Sequence, residues 1–361
     1  MNFRCNALLW TAAIATCAGT ASAQSSIRIN GIIDAAATYG KGSAGRLTTL
    51  SSGLDTPSRI GFSGTEDLGN GYRANFALEA GINNDNGTGF ASNTNNQATG
   101  TAGGGGLTFN RQSWVGLQSS SLGELRFGRN FNPTFRMYTL YDPFYGGGPG
   151  GSQAAIGAIA AYSHPAGMRT SNAIEYWSPP SSIKVHFTHA LGENPSNASA
   201  TADDGRYTGA RVSYAAGGFD VGAAYARYQT AALGDMSETI LGIKYTFAQL
   251  TAYAMYTRNT TGLNGDMDGH LLGLGYRTGP WLFRASYSTS DRENAVGASI
   301  GQARKLAVGA NYALSVRTEL YAHYARNRNS DGASSVPWFG TAVNGPNGTS
   351  QVLALGVIHR F

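Results

Sequence analysis

Apolar and polar positions alternate with a period of two along most of the chain. In residues 27–39 one face carries Ile27, Ile29, Ile33, Ala35, Ala37 and Tyr39, and the other Arg28, Asn30, Asp34 and Thr38. The pattern returns in 71–81, where Tyr72, Ala74, Phe76, Leu78 and Ala80 oppose Arg73, Asn75 and Glu79. It returns again in 238–247 and 281–290. Such alternation predicts strands with one apolar and one polar face. About 16 segments follow it, each near the ~10 residues that a tilted strand needs to cross a bilayer. Their cores are 27–39, 57–66, 71–81, 108–118, 123–131, 171–178, 182–191, 206–215, 219–228, 238–247, 250–259, 269–277, 281–290, 304–314, 316–327 and 351–361.

The connections alternate too. Short ones (67–70, 178–181, 215–218, 278–280) take turns with long ones (82–107, 132–170, 192–205, 291–303, 328–350). A β-sandwich also alternates along its strands, but it splits into two sheets and rarely shows this regular short–long rhythm. In lipid the backbone finds no outside hydrogen-bond partner, and a closed sheet satisfies every group without an edge. The expected fold is all-β: a 16-stranded antiparallel transmembrane β-barrel, with no second domain.

Composition fits. Charged residues are 13% of the 361, against 50 Gly and 11% aromatics. Few charges with many aromatics exclude disorder. Beyond the N-terminus no apolar run approaches the ~20 residues of a membrane helix. Residues 1–23 are expected to be a secretory signal peptide: Arg4, then the apolar 7–15, then Ala21-Ser22-Ala23 as the cleavage site. The mature barrel would then span 24–361. Cys5 and Cys17, the chain's 2 cysteines, both fall in that leader, so no disulfide framework is expected. Removing Arg4 takes the 26 basic residues to 25, against 21 acidic, a surplus of +4 with no basic tract. Nucleic-acid binding is therefore not expected.

Several segments resemble the Gram-negative general porins, in particular the betaproteobacterial type. They are Ile29-Asn30-Gly31-Ile32-Ile33-Asp34, the run from Ser58 to Gly71 (SRIGFSGTEDLGNG), Asn110 to Leu117 (NRQSWVGL), Leu125 to Arg129 (LRFGR) and the terminal Leu355 to Phe361 (LGVIHRF). The resemblance covers essentially the whole mature chain. It implies an outer-membrane location and a homotrimer in outer-membrane lipid and lipopolysaccharide, with the 82–107 loop as a latch over a neighbour. It also implies a water-filled channel for ions and small hydrophilic solutes, and no cofactor. The alternating last strand ending in Phe361 resembles the signal read by the barrel assembly machinery.

The function of such a channel lies at its narrowest ring. In porins the loop after the fifth strand, here 132–170, folds inward as the third extracellular loop. Asp142-Pro143-Phe144 is similar to the acidic tip of that loop. Arg59, Arg111 and Arg169 match by local motif the basic cluster that faces it. The expectation is a constriction with these three arginines on one side and Asp142 on the other, Arg129 and Arg136 being secondary lining residues. Arg126, Arg284 and Lys305 are expected to be ordinary wall residues. Arg111 shares the parity of Val115 and Leu117, which calls for a bulge or interior packing. The loop holds one acid, Asp142, against Arg136 and Arg169, so weak to moderate anion selectivity is expected.

Other chemistry finds little support. Gly146 to Gly151 lacks the Gly-Lys-Ser/Thr of a phosphate loop. The run Asn264 to Gly269 begins like a calcium loop, but its twelfth position is Gly275 where a bidentate Glu is needed. The 6 histidines are scattered, no metal site is expected, and no nucleophile elbow stands out. The rivals to a passive pore are a solute-selective channel with a saturable site, an outer-membrane hydrolase and an adhesin.

Overall fold

The computed structural model describes residues 26–361 except 103–105, 157–163, 199–200, 232–233, 263–264 and 339–343. The expected signal segment 1–23 lies outside the described residues. One antiparallel sheet dominates. Its strands are β1 (Ser26–Gly42), β2 in two pieces (Gly45–Ser52 and Arg59–Gly69), β3 (Tyr72–Asn83), β4 (Gln112–Ser119), β5 (Gly123–Phe131), β6 (Arg169–Trp177), β7 (Ile183–Ala190) and β8 (Tyr207–Ala216). There follow β9 (Phe219–Tyr228), β10 (Met236–Phe247), β11 (Leu250–Thr261), β12 (Gly265–Thr278), β13 (Trp281–Glu293), β14 (Ser299–Ala313), β15 (Thr318–Ser330) and β16 (Thr349–Arg360). The sheet has 18 paired segments among the described residues. One is the two-residue Thr88–Gly89, and two run in series as β2, which leaves 16 wall strands. Each pairs with its sequence neighbour, and β1 pairs with β16, Ile32 to Lys41 against Arg360 to Gln351. The barrel is closed and no wall strand is left as a free edge.

The period-two pattern is the inside–outside pattern. Along β8, Tyr207, Gly209, Arg211 and Ser213 are buried toward the lumen, and Thr208, Ala210, Val212 and Tyr214 are exposed. The exposed face elsewhere carries Ile27, Ile29, Leu117, Phe127, Leu241, Ile243, Leu272, Leu306 and Leu355. Exposed aromatics gather where strands meet the short turns: Tyr72, Tyr214, Phe219, Phe247, Tyr276 and Trp281. An apolar band edged by aromatics is the lipid-facing surface of a membrane barrel.

Two departures from the sequence reading have physical causes. Several strands run further toward the long loops than expected, for example β12 from Gly265 and β13 to Glu293. There both faces meet water, so alternation fades while the ladder continues. The second strand is also not the single run 57–66. Its upper piece pairs with the end of β1, Gly42 against Gly45, and its lower piece with the start of β1, Ile32 against Arg59. Between the pieces, Gly53 takes a left-handed φ of 65° and Pro57 has no amide hydrogen to give the ladder. Residues 53–58 therefore leave the wall and turn inward.

Candidate functional site

Residues 132–156 enter the barrel rather than crown it. Asn132 caps helix α1 (Pro133–Tyr141), its side chain accepting from the Phe135 amide at 2.8 Å, and Pro133 starts the first turn. The helix lays Met137, Tyr138 and Tyr141 on the inner face of β8 to β11. Tyr138 donates to Glu238 at 2.9 Å and Tyr141 to Asp220 at 2.7 Å. Tyr141 sits over Gly222 and Gly242, where a Cβ would fall 2.6 Å from its hydroxyl and 2.4 Å from its ring. Further on, Phe144 packs on Ala307, Ala325 and Val352. Buried Lys305, expected as an ordinary wall residue, donates to the Gly151 and Pro337 carbonyls. After the short α2 (Gln153–Ile156), the Ile156 carbonyl accepts from Thr257 at 2.8 Å.

The inward bend of β2 meets this loop. The Asp55 and Thr56 amides each donate to Asp34 at 2.8 Å, and Tyr321 holds the other Asp34 oxygen at 2.7 Å. The Asp55 carboxylate reaches past the β1–β16 seam to Arg284 of β13 at 2.9 Å and Asn311 of β14 at 2.9 Å. Gly148 lies so close to the bend that a Cβ would fall 2.0 Å from the Leu54 carbonyl. Loop and bend thus brace each other in the lumen. Arg284, expected as an ordinary wall residue, anchors this brace and stacks 4.6 Å over Phe144.

Three of the expected arginines come together here. Arg59 opens the lower piece of β2, Arg111 stands just before β4, and Arg169 opens β6. Glu79 of β3 bridges the first two, at 3.1 Å to Arg59 and 2.6 Å to Arg111. Arg169, Arg136 and Arg111 surround the Phe131 ring at 4.3, 5.3 and 5.4 Å. All four arginines line one cavity of about 590 Å³. Arg136 belongs with the principal set. Burial lowers it to about 10, which still leaves it cationic at neutral pH. The parity problem of Arg111 is solved locally: Gln112 is the register partner of Glu79, while the Arg111 amide also donates to the Glu79 carbonyl at 3.1 Å. Two residues opposite one is bulge geometry.

Asp142 is placed elsewhere. It is fully buried at the end of α1, accepting from the Phe144 amide at 2.7 Å and from the Ser152 amide at 2.6 Å and hydroxyl. Its burial among loop atoms raises its pKa. It ties the loop tip and does not line the arginine cavity. Arg129 is also occupied differently, donating to the carbonyls of Asn110 (2.7 Å) and Asn93 (3.2 Å) and to Ser171 (2.8 Å). It fastens the 84–111 loop to the barrel's own rim. Asn96 does the same, exchanging hydrogen bonds of 2.9 and 2.8 Å with the Ser171 backbone. Asn93 and Asn96, within the expected latch segment, are thus tied to the rim of their own chain. Phe361 closes the seam, pairing with the Gly31 backbone at 3.0 and 3.1 Å.

Sequence reasoning missed Glu79 and Asp55 as site residues. Glu79 was visible on the polar face of its strand, but only the register puts it between Arg59 and Arg111. Asp55, Thr56 and Tyr145 are shared by the arginine cavity and a smaller one of about 190 Å³ lined by Arg277, Glu319 and Arg360. The bend and the loop therefore stand between an upper and a lower polar chamber.

The family model described as Gram-negative porin matches residues 10–332. Outer membrane porin protein 32 of Delftia acidovorans is 35% identical over 251 residues, 65% of this chain. An outer membrane porin protein of Bordetella pertussis is 32% identical over 242 residues, 60% of this chain. The chain spans 64% and 58% of the lengths of these two relatives. Among solved structures, an anion-selective porin from Comamonas acidovorans superposes with a TM-score of 0.79 at 27% identity, covering 94% of this chain and 100% of that one. OmpT of Vibrio cholerae in its trimer form shares the fold, with a TM-score of 0.67 at 13% identity over 93% of this chain and 99% of that one.

Proposed function

The chain belongs to the Gram-negative porin family, and from that premise we propose that it forms a passive, water-filled, weakly to moderately anion-selective pore for ions and small hydrophilic solutes across the outer membrane. The observation that carries the selectivity is the shared cavity. Arg59, Arg111, Arg136 and Arg169 meet on it, with Glu79 the one carboxylate among the described residues that forms an ion pair with any of them. A cluster of fixed positive charge in a narrow aqueous passage lowers the barrier for anions and raises it for cations. The solved relative named as anion-selective agrees with this sign. In the same reading residues 1–23 direct export, residues 24–361 form the barrel, Phe361 marks it for the assembly machinery, and three copies associate. The test is reconstitution of the folded protein in a planar bilayer. Stepwise conductance and a zero-current potential that favours chloride in a KCl gradient support the reading. A cation-favouring potential overturns the assignment of these arginines.

A second reading has its own observation. The Nε atoms of Arg136 and Arg169 are buried and find no acceptor among the described residues. Unpaired buried donors beside a cavity suit a bound anion. A saturable site would make conductance level off as a small organic anion replaces chloride; linear growth argues for simple diffusion.

A further inference from the structure

Two aromatic rings stand where a passage that sorts ions by charge has no use for them. Phe90 is 41% exposed and Tyr145 53% exposed, and both line the arginine cavity. Every other exposed aromatic among the described residues lies on a wall strand, where lipid or its interface accounts for it, except the terminal Phe361. Inside the lumen there is no lipid to meet. Apolar faces left open to water there point to an apolar partner that visits them.

The backbone holds these rings in place. Gly81 of β3 has the parity of Glu79 and is the register partner of Arg59. The Phe90 ring lies on it, 2.8 Å from where a Cβ would stand, so only glycine lets the ring rest on the wall beside Arg59. Tyr145 has a φ of 56°, a left-handed conformation uncommon for a bulky residue. Phe144 before it is fully buried, while the Tyr145 ring is left in the passage between the two chambers. Strain of this kind is kept where a site uses it. A third ring, Trp338, comes from the 331–348 loop and lines the same cavity. It packs on the cluster of Leu54, Ala36 and Tyr321, and buried Lys305 holds the preceding Pro337 carbonyl at 2.8 Å.

The same cavity supplies charge. The buried Nε atoms of Arg136 and Arg169 have no acceptor among the described residues, and Phe131 backs the two guanidinium groups at 5.3 and 4.3 Å. The volume of about 590 Å³ falls within the ~300–1,000 Å³ of small-molecule sites, which combine apolar and aromatic walls with a few polar groups. An inorganic anion uses the arginines and gains nothing from the rings. A neutral aromatic uses the rings and leaves the donors unpaired. A ring that carries a carboxylate satisfies both. We propose that this cavity is a binding site for one-ring aromatic carboxylates, the carboxylate on Arg136 and Arg169 and the ring on the aromatic wall of Phe90, Tyr145 and Trp338. The inference rests on the saturable-site reading above and names its class of solute.

The test uses planar bilayers holding the folded full-length protein in KCl, with benzoate, cyclohexanecarboxylate, acetate and benzyl alcohol added separately as probes. Benzoate should reduce the chloride current saturably, and about fivefold more tightly than cyclohexanecarboxylate, which has the bulk without the π face. Acetate and benzyl alcohol should block far more weakly. The variant F90L/W338L keeps apolar bulk, and its half-blocking benzoate concentration should rise about fivefold for each ring removed. F187L, which alters an outward ring, should block as wild type does. Acetate that blocks as tightly as benzoate leaves a saturable anion site without ring specificity and overturns the proposal alone. Equal block by cyclohexanecarboxylate or by benzyl alcohol overturns it as well, as does unchanged benzoate block in F90L/W338L. No saturation with any probe overturns the saturable-site reading together with the proposal. The probe series on the wild-type channel decides the matter even where the double variant does not fold.

Discussion

Glu79 is the residue whose replacement tests the electrostatics of the pore most directly. It bridges Arg59 and Arg111 on the cavity wall and is itself 14% exposed at the side chain. Glu79→Gln keeps the shape and one acceptor oxygen but removes a unit negative charge. At about 7 Å from a passing ion that charge is worth about 0.6 kcal/mol in water, and about 0.3 after screening over the ~10 Å Debye length of 0.1 M salt. Anions gain this amount and cations lose it, so the anion preference rises by about 0.6 kcal/mol, close to threefold. In 1 M salt the Debye length is ~3 Å and the change falls to about 1.2-fold. The assay is the zero-current potential across KCl gradients at both mean concentrations. Arg59→Gln should move the potential the opposite way. An E79Q channel of normal conductance whose potential at low salt is unchanged, or moves toward potassium, refutes the reasoning.

Asp142→Asn should leave ion selectivity where it is, because the carboxylate faces Ser152 and not the arginines; an open-channel noise spectrum should show a looser loop tip, since Asn has one acceptor oxygen and cannot serve both Ser152 and the Phe144 amide. Asp55→Asn uncovers Arg284, whose side chain is 1% exposed; breaking a buried pair costs about 3–5 kcal/mol, and the temperature at which the folded form is lost in gel electrophoresis should fall. His164, packed on Tyr228 and accepting from the Ala166 amide, is held down to about 4 by burial. Its neutral form contributes fully above its ordinary value of 6.5, and that contribution, about 3 kcal/mol, is lost as pH falls from 6.5 to 4. Proteolytic release of the 132–168 loop should therefore accelerate across that interval, and His164→Gln should flatten the profile.

The wall was legible because lipid is an exacting solvent. Every second residue of a crossing strand must be apolar, and the short turns must reverse the chain within a few residues, so β9 was placed to the residue and most other strands within a few. The lumen imposes no such rule. Water tolerates Arg211, Ser213 or Glu238 alike, so parity alone separates neither Arg136 on the cavity from Arg129 on the rim nor Arg284 in the brace from a bystander. The expected pairing of Arg59, Arg111 and Arg169 came from local motifs, and the structure brings those three to one cavity. The expected acid opposite them failed for a reason motifs do not carry: a carboxylate at a helix end, four residues before a glycine run, finds loop amides sooner than it finds solvent.

The residues that shape the site are those that break the alternation, not those that keep it. Gly53 and Pro57 stop the β2 ladder and send Asp55 inward; Pro133 and Asn132 stop β5 and start a helix inside the barrel. Each interruption gives up wall hydrogen bonds and recovers them in the lumen, through Asp34 in one case and the α1 cap in the other. Both would be replaced by continuous strand if the barrel were selected for stability alone, since every wall residue gains two ladder partners. They persist where they narrow the passage, and they meet: the loop's Gly148 touches the bend's Leu54 carbonyl, while Tyr145 shares both chambers with Asp55 and Thr56. A restored strand, with Gly53→Val and Pro57→Val together, should therefore widen the channel and raise its conductance while weakening the loop's brace. Unchanged conductance in a folded double variant would mean that the loop alone sets the constriction.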